Sequence, residues 1–78
     1  MSDDARFLNY MRTELQKAKT EMEQFTIELE AARTYQAATR DCVEKERMED
    51  RIGILMVHYN WAKEARDWYT DEIAKMES

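Results

Sequence analysis

Proline is absent from this 78-residue chain, and glycine, cysteine and histidine occur once each. With Gly53 as its one glycine, the chain has little material for tight turns or sheets and suits long helices. A single cysteine, Cys42, excludes an internal disulfide. The lone His58 has no Glu-x-x-His or His–Cys spacing around it, so no metal site is expected. Long hydrophobic runs are also missing. The longest, Ile52 to Val57, is interrupted by Gly53 and is too short to span a bilayer, so no membrane partner is expected. The first four residues, Met1-Ser2-Asp3-Asp4, are acidic and carry no apolar signal core. No Gly-rich phosphate loop, nucleophile–base pair or cofactor fingerprint is present, so neither a cofactor nor an enzymatic activity is expected. An inert, intracellular Cys42 fits the same picture, although Arg40 and Lys45 lie close to it in sequence.

Charge is plentiful: 37% of residues are Asp, Glu, Lys or Arg, and 17 acids against 12 bases leave a net charge of −5. An acidic surface repels phosphate backbones and argues against direct nucleic-acid binding. Lys and Arg interrupt the acids throughout, which argues against imitation of a nucleic acid. Apolar residues reach 44%, too many for a disordered tail, and the length allows one domain, 1–78.

The apolar residues are patterned. Leu8, Met11, Leu15, Ala18, Met22, Phe25, Leu29 and Ala32 step by three and four, which sets them on one stripe of a helix. A second stripe runs Met48, Ile52, Leu55, Tyr59, Ala62, Arg66, Tyr69, Ile73 and Met76. Continuing the first heptad series would place Asp50 and Val57 on the stripe, so the phase slips by two residues between the two. The slip predicts a break at Thr39-Arg40-Asp41. Asp41 and Glu44 have the form of a capping box that starts a new helix, while Ser2, Asp3 and Asp4 suit the start of the first.

The expected fold is all-α: an antiparallel hairpin of helices at about 3–38 and 41–76, turning at about 39–41. A turn near Cys42 would set Phe25 opposite Tyr59, Leu29 opposite Leu55 and Met22 opposite Ala62, large residues meeting small at several levels. One uninterrupted helix is the competing arrangement, because the turn has neither Gly nor Pro. The expected seam comprises Leu8, Met11, Leu15, Met22, Phe25 and Leu29 with Met48, Ile52, Leu55, Tyr59, Tyr69 and Ile73. Arg66 would lay its methylenes across that seam and send its guanidinium to water or to Glu14 or Glu21. Arg33 with Glu49 and Glu28 with Arg51 are possible cross-hairpin pairs.

Helix 2 carries a further row: Ile54, His58, Trp61, Ala65 and Trp68. Two apolar rows exceed what one partner helix can cover, and a two-helix hairpin buries little per residue. Homodimerisation into a four-helix bundle answers both difficulties. The row is therefore expected to be dimer core or a surface for another protein, with Glu64, Asp67 and Asp71 as candidate electrostatic contacts.

In size, charge and helicity the chain is similar to small acidic helical proteins with which bacteriophages inhibit host machinery, some anti-CRISPR proteins among them. That likeness implies a non-enzymatic, cytoplasmic protein-binding inhibitor that occludes a basic surface of a nucleic-acid-handling complex. It carries no particular residues over. The alternative is a structural role, as a scaffold, an assembly chaperone or a coiled-coil subunit of a larger complex.

Overall fold

Residues 3–78 are described by a computed structural model, in which two helices, α1 (Asp3–Ala38) and α2 (Cys42–Glu77), double back on each other. The expected cap at Ser2 lies outside these residues. Each helix has 36 residues, and together they form a rod 59 × 15 × 14 Å. Among the described residues there is no strand, and no helix is long and apolar enough to cross a membrane.

The turn works without glycine or proline because no non-glycine residue among those described has a positive φ. Thr39 N–H still donates to Tyr35 O at 2.9 Å, closing the last turn of α1. Asp41 is extended (φ −80°, ψ 118°), and its Oδ1 accepts from Val43 N–H at 2.9 Å, as an N-cap side chain does. The second half of the expected capping box does not form. Asp41 N–H donates to Thr39 Oγ1 at 3.3 Å, and Glu44 pairs instead with Arg47 on its own helix. The hydroxyl of Thr39, two residues before Asp41, takes the donor that Glu44 would have reached. Across the turn, the Gln36 amide donates to Lys45 O at 3.1 Å, tying the end of α1 to the start of α2.

The stripes face each other. Met11, Ala18, Leu29 and Ala32 of α1 are buried, as are Leu55, Ala62 and Ile73 of α2. Leu8, Leu15, Met22 and Phe25 are half-buried, as are Met48, Ile52, Tyr59, Arg66 and Tyr69. Leu29, Ala32 and Leu55 form a buried cluster, with Phe25, Met48, Ile52 and Tyr59 packed against it. Met76 departs from the pattern: it is 37% exposed. Residues seven apart rotate by about 20° per heptad on a straight helix, so Leu55, Ala62, Tyr69 and Met76 drift steadily off the seam.

Longer polar side chains find other partners than the spacing suggested. Arg66 donates from Nε and Nη2 to its neighbour Asp67 at 3.0 and 2.9 Å, not to Glu14 or Glu21. Arg33 reaches Met56 Sδ at 3.9 Å rather than Glu49, and Glu28 accepts from Gln24 rather than pairing with Arg51. Exposed ion pairs differ by only a few tenths of a kcal/mol up to about 1, too little to fix the partner of a long side chain. Thr13, Thr20, Thr26 and Thr70 return their hydroxyls to the carbonyl four residues earlier, so these polar groups are satisfied within the helix. Gly53 lies inside α2, and a Cβ there would meet nothing within 4 Å, so it serves no close backbone approach in the hairpin.

Candidate protein-binding face

The two long sides of the rod differ. One side carries the Arg33–Met56 contact and the Arg12–Glu77 ion pair, with shallow open grooves between the helices lined by Thr26, Met22, Tyr59 and Arg66 among others. The other side is aromatic. At about 100° per residue, Ile54, His58, Trp61, Ala65 and Trp68 lie on one flank of α2, round from its seam. α1 covers little of them: Ile54 is 60% exposed, Trp61 62% and Trp68 54%, His58 is exposed and only Ala65 is half-buried.

Ring contacts join this flank to α1. The His58 ring stacks on Phe25 at 5.7 Å and meets Trp61 edge-on at 5.4 Å. Toward the open end of the hairpin, Trp68 meets Tyr69 edge-on at 5.0 Å, and Phe7 stacks on Tyr10 at 6.4 Å. The Tyr69 phenol lies close enough to Tyr10 to feel it electrostatically, which links these two pairs. Partial burial first, then Tyr10 and the Glu14 carboxylate, hold the Tyr69 phenol above its ordinary pKa, and Lys17 opposes them. Edge-on and offset arrangements are those that ring quadrupoles favour. The rings therefore form a surface largely ordered within the chain before any partner arrives.

Phe7 and Tyr10 belong to this surface although neither stands in the seam or the row expected from the sequence. The readable signal was their i, i+3 separation together with Tyr10 falling near Tyr69 once the hairpin closes. Glu64, Asp67 and Asp71 are all exposed, and Asp67 is occupied by Arg66. Cys42 is exposed at the turn. Among the described residues no cluster of three or more His, Cys, Asp or Glu side chains is placed to hold a metal ion, and no buried side-chain N or O lacks a hydrogen-bond partner.

Compared with known proteins, the chain matches no family model, no curated protein and no solved structure. Its function is therefore argued from this geometry.

Proposed function

We propose that the chain is a non-enzymatic protein-binding module that acts as a homodimer. The observation that carries this reading is the exposed row Ile54, Trp61 and Trp68 on a rod whose other seam is already used internally. Exposed aromatic patches of this kind mark contact sites, and tryptophan is prominent among the anchors that dominate interfaces. A second copy covers the row and completes a four-helix bundle. Glu64, Asp67 and Asp71 then remain on the outside as an acidic surface for a basic partner, such as the nucleic-acid-binding face of a host complex. Binding there is competitive with nucleic acid, as the reading of the chain as a bacteriophage-type inhibitor requires.

Light scattering on the wild type and on Trp61→Ala/Trp68→Ala tests the dimer. Twice the 9.4 kDa chain mass, falling to the single mass in a variant that stays helical, supports it. A wild-type monomer at micromolar concentration removes it. The basic partner is tested by reversing Glu64, Asp67 and Asp71 to Lys, which should leave the dimer intact and abolish competition with nucleic acid. The extended 59 Å rod with its regular seam supports a second reading, a coiled-coil scaffold or subunit. Open-ended assembly in solution favours that reading over a discrete dimer.

A further inference from the structure

The aromatic row is spaced in a way that decides how a second copy lies on it. Ile54, Trp61 and Trp68 are one heptad apart on the same flank, so Trp61 has Ile54 and Trp68 at equal distances on either side. Trp61 also stands near the middle of α2. Across the hairpin, Phe25 stacks on His58 and Leu29 packs with Leu55, which sets Met22 and Glu23 at the level of Trp61 along the rod.

Two identical faces meet about a twofold axis that runs either along the rod or across it. Along the rod, α1 of one copy lies over α2 of the other at the same level. Glu21 and Glu28, which share a flank of α1 with Tyr10, then come down on the Trp61 and Ile54 side chains. Carboxylates laid over indole and alkyl groups are costly to desolvate, and Lys17, the cation one turn from Glu21, is already paired with Glu14 at 3.1 Å. Across the rod, α2 lies over the partner's α2 and α1 over the partner's α1, so the apolar row meets an apolar row. Trp68 then covers the partner's Ile54, and the two Trp61 side chains meet at the axis. The same axis passes between Met22 and Glu23, which brings Lys17 opposite the partner's Glu28.

We propose that the homodimer is antiparallel, its twofold axis crossing the rod at Trp61 of α2 and between Met22 and Glu23 of α1. Trp68 meets the smaller Ile54, Trp61 meets its own copy and Lys17 meets Glu28, all at a single register that suits both helices. This rests on the reading of the chain as a homodimer, and the following experiment separates the two.

Cys42 is the single cysteine and is exposed at the turn, so the native chain accepts one nitroxide label. A crossing axis sends the two turns to opposite ends, with Cys42 about 55 Å from its counterpart at 1.5 Å per residue. An axis along the rod puts both turns at one end, within roughly 25 Å given interhelical spacings of 8–10 Å. Pulsed electron double resonance on the labelled dimer should give the long distance. A short distance with the dimer mass intact overturns the crossing axis alone, whereas a monomer mass with no dipolar modulation overturns the dimer and the axis with it. In a Cys42→Ser background, oxidation of a mixture of Lys17→Cys and Glu28→Cys chains should give the mixed disulfide, with neither variant linking to itself. Self-linking of Lys17→Cys in place of the mixed product overturns the register.

Discussion

The His58 ring lies 5.7 Å from that of Phe25 with 22° between their planes, so one stacked pair joins the seam of α1 to the aromatic flank of α2. Because His58 also holds Trp61 edge-on, the position of that tryptophan depends on a contact made across the hairpin. His58→Ala removes both contacts. It should lower stability by about 0.5 kcal/mol, the low end for aromatic pairs, because the imidazole is exposed. Urea unfolding measures the loss, and near-ultraviolet circular dichroism should show weaker tryptophan signals. Unchanged signals would mean that Trp61 is held by its own helix alone.

Gly53 offers the opposite change. It lies in helical backbone with no positive φ, and nothing stands within 4 Å of where a Cβ would be. Gly53→Ala should therefore stabilise α2 by about 0.5–1 kcal/mol. In a chain of this length each 1 kcal/mol raises the thermal midpoint by roughly 4–8 °C. Glycine 53 points away from α1, on the side of α2 that carries Glu64 and Asp71, so the substitution should leave the dimer mass unchanged. A lower midpoint would show that another chain approaches the α2 backbone at this point.

The start of α2 separates two carboxylates that the D-x-x-E pattern treats alike. Asp41 Oδ1 accepts from Val43 N–H, whereas Glu44 reaches only Arg47. Asp41→Ala should cost about 1 kcal/mol, as loss of an N-cap does. Glu44→Ala should cost no more than a few tenths, as for an exposed i, i+3 pair. Thermal unfolding of the two single variants makes the comparison, and equal losses would mean that the reciprocal capping box forms in solution.

The hairpin was legible because its signals are collective. Eight apolar positions in α1 share one phase, the stripe of α2 has another, and a helix cannot keep both on one side without a break. Asp41 marked the break by the chemistry of its side chain, and the lack of glycine proved no obstacle since the linker uses ordinary backbone angles. The row Ile54, Trp61 and Trp68 was legible for the same reason, as spacing on a helix fixes the flank. What spacing did not decide was where flexible ends go. Arg33, Arg66 and Glu44 each had several partners in reach, with energies differing by less than about 1 kcal/mol. Nor did it bring Tyr10 onto the aromatic face, since its place there depends on the level at which Tyr69 arrives.

That level gives the hairpin an alkaline limit. Partial burial, Tyr10 and Glu14 raise the Tyr69 pKa above the ordinary 10.0, so the folded chain holds this proton more tightly than the unfolded one. The resulting stabilisation is complete below the unfolded pKa and is lost as pH rises from about 10 through the folded value. Ionised Tyr69 would face the Glu14 carboxylate and lie beside Tyr10, both of which disfavour its charge. Tyr69→Phe keeps the ring against Trp68 but has no proton to lose. Its stability should fall less steeply than that of the wild type above pH 10. Urea midpoints measured from pH 8 to 11.5, with tyrosinate absorbance recorded in parallel, test this directly. Parallel declines in the two proteins would assign the alkaline loss to the other tyrosines or to lysine.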